Sequence, residues 1–248
     1  MERLRFLRCL ADDEARLREV AARDLEADVP SCPGWTVTDL VRHVGEVYLH
    51  KVECIRTGVR PSHWPPHSLE KEDPLPLLDR AYAALVEELG RDPSAPAFTW
   101  YEPDQTVGFW VRRMAQETVI HRVDAELALR VAVAPIPDDL AVDGIDEVLH
   151  LFLAFETGGA PEAFGTALSE SDGHSVLIVA GDARWSVTPT AEGVRVGPAE
   201  GQTAASVTGD PQGVLLWLWG RAGGDAVRLE GERERIDSLR DLLRDTTQ

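Results

Sequence analysis

The sequence predicts an α + (α+β) protein, in which an N-terminal four-helix bundle is followed by a smaller α+β domain with an antiparallel sheet. Before residue 131, apolar residues recur at helical spacing in four long segments, joined by connections typical of a bundle. From residue 175, short β-branched runs alternate with turns that contain glycine. The length of 248 residues suits two ordinary domains, which we expect over residues 1–138 and 139–248.

The first half of the chain contains clear helix boundaries. Residues 29–35, VPSCPGW, combine two prolines with a glycine and therefore interrupt any helix. Either Thr36 or Thr38 can cap the helix that follows, and Thr106 can cap the last one. Residues 57–73 are rich in Pro and form a loop. The predicted helices are residues 3–25, 38–56, 75–89 and 107–130.

The second half changes from helical to strand periodicity. Pro135 and Pro137 mark a break after the bundle, and the next helix is expected over residues 140–155. The runs SVLIVA, RWSVTPT, GVRVG and AASVTG then predict strands, because β-branched residues dominate each run and turn residues separate them. VRLEG predicts one more strand. It lies between two further helices, expected over residues 211–220 and 232–243.

Composition excludes several classes of partner. The formal charge is −18, from 25 basic and 43 acidic residues, and it repels nucleic acid and anionic membranes alike. No apolar run is long enough to cross a bilayer, and the N-terminal segment carries acidic residues that a signal peptide lacks. Cys9, Cys32 and Cys54 form no CxxC pattern and read as reduced thiols. We therefore expect a cytoplasmic protein, present as a monomer or a homodimer.

The fourth predicted helix carries the pattern most indicative of chemistry. Glu117 and His121 are four residues apart, so their side chains project from one face of the helix, about one turn apart. Carboxylate and imidazole are common ligands of zinc-like ions, and a catalytic site needs a third protein ligand. His43 is the natural candidate, because it lies at the edge of the apolar stripe of the second helix.

Other interpretations of these histidines remain open. A Glu and a His at this spacing also form an ordinary surface hydrogen bond, as part of a solvated stripe that would include Arg113 and Asp124. His63 and His67 in the segment HWPPH offer a rival metal pair or a mobile lid, although loop histidines are usually structural or exposed. Cys54 is either a buried thiol or an additional ligand.

Three segments resemble one known family. They are VPSCPGWTVTDLVRHVGEV, ETVIHRVDAELAL and ASVTGDPQGVLLWLWGR, which lie in both halves of the chain. Together they resemble the mycothiol-dependent maleylpyruvate isomerase family. The resemblance implies a DinB-like four-helix bundle as the first domain and the family's own C-terminal domain as the second. It also implies metal ligands at His43, Glu117 and His121, the residues that the helix pattern brings together.

The resemblance further implies a thiol-dependent activity. In the family the low-molecular-weight thiol mycothiol is a cosubstrate, and one divalent ion binds and activates its sulfur; we expect zinc, with nickel, iron or manganese as alternatives. Coordination to a dication favours the thiolate. The thiolate then adds to a small electrophilic, anionic substrate. Elimination after rotation gives an isomerase, and retention of the thiol gives an S-transferase.

Three further residues are candidate catalytic groups. Asp124 can accept a hydrogen bond from a ligand histidine, or it can be a plain surface acid. Arg113 can orient Glu117 or bind a substrate carboxylate, or it can form a surface ion pair. Arg221 is the cation that we expect to face the first domain and bind the thiol cofactor or substrate, the alternative being a cation at a helix C-terminus.

Two other classes of function stay open. The bundle and its metal can form a non-catalytic protein that binds a small molecule or a partner, or a metal hydrolase that uses activated water. An open coordination position with a nearby arginine would indicate an enzyme. Four protein ligands would indicate a structural site.

Overall fold

The computed structural model describes residues 1–199 and 203–247. The chain divides into two compact units, residues 1–134 and 135–248. The first is helical and the second combines helices with a five-stranded sheet. The predicted fold class is confirmed.

The first unit is built from four long helices. α1 packs mainly on α4 and α2 mainly on α3, while α2 also contacts α4. A 3₁₀ turn, Leu69–Lys71, lies in the loop between α2 and α3. The helices are α1 (Arg3–Ala21), α2 (Val37–Thr57), α3 (Pro74–Leu89) and α4 (Val107–Ala128).

Caps and core explain why these helices form where they do. Thr36 caps α2 in a capping box with Asp39, in which each side chain accepts a hydrogen bond from the other residue's backbone N–H. Thr106 caps α4 by accepting from the backbone of Phe109. Aliphatic side chains such as Leu40 and Leu85 are fully buried between the helices. Burial of about 2 kcal/mol per large side chain stabilises the bundle.

α4 is buried on nearly every face, and its charged residues are therefore paired. The Arg122 guanidinium donates to Asp13 at 3.0 Å and to Glu126 at 2.7 Å. Arg16 on α1 also donates to Glu126, at 2.8 Å. Buried charges are tolerated only with such partners, so this network fixes how α1 and α4 meet.

The second unit begins with a helical segment that changes its geometry. α5 (Asp138–Glu147) passes into a π-helix (Val148–Ala154) and then into α6 (Phe155–Gly159), where the sequence predicted one helix over 140–155. A 3₁₀ turn (Pro161–Phe164) and α7 (Thr166–Ser169) lead to the sheet. The remaining helices are α8 (Pro211–Leu218) and α9 (Arg233–Thr247).

The sheet is mostly antiparallel, as predicted, with one parallel pair that the strand pattern did not indicate. Its strand order is β3-β2-β1-β4-β5, and β4 runs parallel to β1 while the other pairs are antiparallel. Alternation of apolar residues determines which face of a strand is buried, but not which strand lies beside it. The strands are β1 (Ser175–Ala180), β2 (Ala183–Thr190), β3 (Gly193–Gly197), β4 (Thr203–Gly209) and β5 (Arg228–Gly231).

A membrane-spanning segment was not expected, and none of the helices within the described ranges is both long and apolar enough to cross a bilayer.

Candidate metal centre

Three side chains from α2 and α4 converge in the first unit. One ligand atom each from His43, Glu117 and His121 lies within 4.8 Å of the other two. Glu117 Oε1 is 3.5 Å from His43 Nε2 and 3.2 Å from His121 Nε2. No other group of three metal-ligating residues occurs in the described part of the chain.

Arg113 fixes the orientation of the Glu117 carboxylate. Its guanidinium donates to Glu117 Oε2 from one turn earlier on α4. The other oxygen, Oε1, thereby faces the two imidazoles. Arg113 is only 5% exposed, so this contact is a buried ion pair rather than the surface pair considered as an alternative.

Asp124 contacts the nitrogen of His121 that faces away from the cluster. His121 Nδ1 lies 3.0 Å from Asp124 Oδ2, so its other nitrogen, Nε2, points to the cluster. Asp124 is fully buried, which excludes a surface acid. Ser31 Oγ donates to the second carboxylate oxygen at 2.5 Å. A carboxylate that fixes a histidine in this way is typical of ligand histidines in metal sites.

Charge and burial act in opposite directions on the pKa values of this cluster. Burial raises the pKa of Glu117, but the charges of Arg113 and His121 and two histidine hydrogen bonds outweigh it and hold that pKa well below its usual value. Burial lowers the pKa of His121, yet Glu117 and Asp124 raise it to about 9. The carboxylates therefore attract positive charge to this position.

The CPGW segment forms a turn that supports the cluster. The Trp35 backbone N–H donates to the Cys32 carbonyl at 3.0 Å, with Pro33 and Gly34 between them. Gly34 has a φ of +86°, as the third position of a type II turn requires. The turn brings the Trp35 ring to 5.0 Å from the His43 ring, and His43 in turn lies 5.1 Å from His121.

His63 and His67, the rival metal pair, do not belong to a group of three potential metal ligands in the described part of the chain. His67 pairs with Glu70 at 2.9 Å, and His63 contacts the hydroxyl of Ser62 at 3.1 Å. Both histidines are exposed. Cys54 is buried and its sulfur lies 3.5 Å from His50 Nδ1, not in the three-residue cluster.

Arg221 lies in the second unit, just after α8. Its guanidinium donates to the Trp219 carbonyl at 2.7 Å and lies 5.8 Å from the centre of the Trp219 ring. The Trp219 ring also contacts Phe152. A contact with the carbonyl at the end of α8 is what a helix C-terminal cation makes. The role of Arg221 in binding a thiol or substrate stays a prediction.

Sequence reasoning missed the supporting residues around the cluster. Ser31 and Trp35 lie within residues 29–35, which were identified as a helix break and as part of the family resemblance, and Lys51 lies on α2. None of the three was assigned a role at the cluster. The Lys51 amine lies 4.9 Å from the centre of the Trp110 ring. The one indication in the sequence was the turn motif from Cys32 to Trp35, which Ser31 precedes and Trp35 ends. Nothing in the spacing of residues indicated that Ser31, next to this turn, contacts Asp124 on α4.

The chain is similar to known proteins in both units. A family model described as the mycothiol maleylpyruvate isomerase N-terminal domain matches residues 7–126, and the MDMPI C-terminal domain matches residues 139–238. No curated protein matches the chain significantly.

Two solved structures share its fold. A crystal structure of the mycothiol-dependent maleylpyruvate isomerase matches with a TM-score of 0.66 and 17% identity, covering 94% of this chain and 95% of that one. A histidine-to-alanine mutant of that enzyme matches with a TM-score of 0.64 and 16% identity, over the same shares. The two family models together extend over most of the sequence, and the chain therefore belongs to the mycothiol maleylpyruvate isomerase family.

Proposed function

We propose that this protein is a metal-dependent enzyme that uses mycothiol or a similar thiol to isomerise, or to transfer the thiol to, a small electrophilic and anionic substrate. The observation that carries the proposal is the convergence of His43, Glu117 and His121 in a chain of this family. The ion would be divalent; we expect zinc, and nickel, iron or manganese are alternatives that the same nitrogen and oxygen donors accept.

The donor set fits a divalent ion. Two ligands at about 2.1 Å from a tetrahedral ion lie about 3.4 Å apart. The separations of 3.5 Å from His43 to Glu117 and of 3.2 Å from Glu117 to His121 are close to that value. Three protein donors leave one position for a reactant, as in catalytic rather than structural sites.

A divalent ion bound there would favour the thiolate form of a coordinated thiol at neutral pH, the form that adds to electrophilic carbon. The protein's own residues prepare the site for this chemistry. Arg113 keeps Glu117 Oε1 turned to the histidines, and Asp124 keeps His121 Nε2 turned to Glu117. The His43 side chain is 36% exposed, so the cluster is open to small molecules on that side.

Asp124 also determines which nitrogen of His121 carries the proton. In the neutral imidazole that would bind an ion, the carboxylate accepts the Nδ1 proton, and the Nε2 lone pair faces the cluster as a metal donor. Because Ser31 donates to the other oxygen of Asp124, the carboxylate keeps its orientation. Arg113 and Asp124 are therefore positioning residues in this proposal. Arg221 is retained as the candidate cation for an anionic reactant, and Arg221→Gln tests it by the KM for substrate or thiol.

The first experiment measures metal content and thiol binding together. Elemental analysis of wild type should give near one divalent ion per chain, and His43→Ala and His121→Ala should each lose it. His174→Ala is the matched control, because His174 is exposed and pairs with Asp172 in the second unit. After cobalt substitution, titration with mycothiol should produce a thiolate-to-cobalt absorption band in wild type and in the control.

Activity then separates the remaining functions. Thiol-dependent cis–trans conversion of a maleyl-type substrate by wild type, lost in both histidine variants, supports an isomerase, and a stable thioether product supports an S-transferase. Metal retention without any thiol band would favour the non-catalytic protein or a hydrolase. If neither histidine substitution changes metal content, the proposal fails.

A further inference from the structure

A second polar site lies on the same helix as His43. A cavity of about 440 Å³ is lined by His50, Arg60, Pro61, Ser62 and Trp64, where the end of α2 meets the loop that follows it. That volume is within the range of small-molecule sites, roughly 300–1,000 Å³. His43 and His50 are seven residues apart, so the cavity begins two turns, or about 10 Å, from the metal donors along α2.

Positive charge is concentrated at this cavity in a protein of net charge −18. Arg60 is exposed, and within residues 1–199 and 203–247 no carboxylate forms an ion pair with it. The Lys51 amine lies 3.3 Å from His50 Nδ1, directly behind the cavity wall. Arg56, four residues earlier, is already paired with Glu88. Arg60 is thus a cation available to a ligand.

His50 contributes a neutral donor. Burial, together with the positive charges of Lys51 and Arg60, lowers its pKa to about 4. The Lys51 ammonium can only donate, so Nδ1 accepts and the remaining proton is on Nε2. The cavity therefore offers a guanidinium and a neutral imidazole N–H, and it is also lined by Ser62, whose hydroxyl contacts His63. The guanidinium and the N–H are the donors that a carboxylate requires.

The apolar side of the cavity is provided by Trp64. Its ring meets the His50 ring edge-on at 5.3 Å, which holds both rings in place. Pro61 completes this wall. A flat aromatic face beside a guanidinium suits the carbon chain of a short unsaturated acid. No acidic side chain lines the cavity; Glu53 lines the adjacent one, of about 530 Å³.

We infer that the cavity of His50, Arg60, Ser62 and Trp64, two turns along α2 from His43, binds a carboxylate group of the electrophilic substrate. This inference rests on the proposed function for the identity of the ligand as a substrate. The binding of a carboxylate at Arg60 does not depend on the thiol chemistry. The two can therefore be tested apart.

The test is calorimetric titration of the metal-loaded protein with maleate, at low ionic strength and without thiol. Arg60→Gln should weaken maleate binding at least about tenfold, because the charge-assisted hydrogen bond is lost. Arg23→Gln is the matched control, since it removes another exposed arginine, which pairs with Glu19 elsewhere on the unit. It should leave the affinity unchanged. The neutral dimethyl ester of maleate should bind at least about tenfold more weakly than maleate.

The outcomes distinguish a carboxylate site at Arg60 from maleate binding at the metal or through net charge. If wild type does not bind maleate, or if Arg60→Gln binds it as wild type does, the carboxylate site is refuted. Equal losses in both arginine variants would refute it too, as they would report net charge only. Repeating the titration with His43→Ala separates the cases, because maleate held by the metal would be lost there while binding at Arg60 would persist.

Where thiol-dependent activity is present, Arg60→Gln should raise the KM for an anionic substrate about tenfold and leave kcat within about twofold. Activity without this change in KM would refute the inference and leave the proposed function intact. Binding at Arg60 without thiol-dependent activity would refute the proposed function and leave the carboxylate site.

Discussion

Asp124 Oδ2 lies 3.0 Å from Nδ1 of His121, three residues before it on α4. The carboxylate is buried without contact to water and receives a second hydrogen bond from Ser31, 93 residues earlier in the chain. The orientation of one proposed metal ligand therefore depends on the connection between α1 and α2.

Asp124→Asn should weaken metal binding about 10- to 100-fold, because the amide is a poorer partner for the histidine N–H. Competition with a chromophoric chelator measures this. Ser31→Ala should have a smaller effect, since it removes a single hydrogen bond worth about 1 kcal/mol. Equal affinities in wild type and Asp124→Asn would contradict the role of the carboxylate.

Gly34→Ala should destabilise the protein by about 1–2 kcal/mol, because a side chain disfavours the left-handed backbone at φ +86°. An added Cβ would have no atom within 4 Å, so the cost is backbone strain alone. Gly158→Ala is the control, as that Cβ also meets open space at a residue without positive φ. Urea unfolding of both variants measures the difference, and similar midpoints would contradict the turn assignment.

Arg113→Met should lower the free energy of unfolding of the metal-free protein by about 3–5 kcal/mol, because it leaves the Glu117 carboxylate without its buried partner. Denaturant unfolding in the presence of a chelator measures this. Arg23→Met, which breaks an exposed pair with Glu19, should cost less than about 1 kcal/mol. A loss as small as the control's would show that Arg113 is dispensable to the buried carboxylate.

Glu14→Gln should change how stability depends on pH. Burial raises the pKa of Glu14 to about 7, the Asp79 carboxylate adds to this rise, and Arg18 opposes it. Because the folded-state pKa is raised above the ordinary value of 4.5, the stabilising contribution is complete below about pH 4.5 and is lost as pH rises through 7.

Wild type should therefore lose about 3 kcal/mol of stability from Glu14 between pH 4.5 and pH 8, whereas Glu14→Gln should not. Urea unfolding of both proteins at several pH values measures the difference. At pH 8 the variant should be the more stable protein. Parallel pH profiles of the two proteins would contradict the raised pKa.

Local sequence patterns predicted the helices and the meeting of the three candidate ligands. Glu117 and His121 share a face because they lie one turn apart, and His43 was located from the apolar stripe of its own helix. Residue type limited the cap of α2 to Thr36 or Thr38, and the structure has Thr36. Helix faces and caps depend on residues that are close together in the sequence, so they can be predicted from it.

The features that were missed depend on segments distant in the chain. Ser31 reaches Asp124 across 93 residues, and nothing in its own neighbourhood indicates that partner. Arg60 could not be recognised as lacking an ion pair until the carboxylates around it were located. The parallel pairing of β1 with β4 likewise depends on chain topology, because alternation is the same in either direction.

The three candidate ligands, Arg113, Asp124 and Ser31 all lie between residues 31 and 124, inside the first compact unit. One contiguous segment of the gene therefore encodes all of the proposed metal donors and the residues that position them. Insertions or replacements after residue 134 would change the second unit and leave the positions of the proposed metal donors in the sequence unaltered.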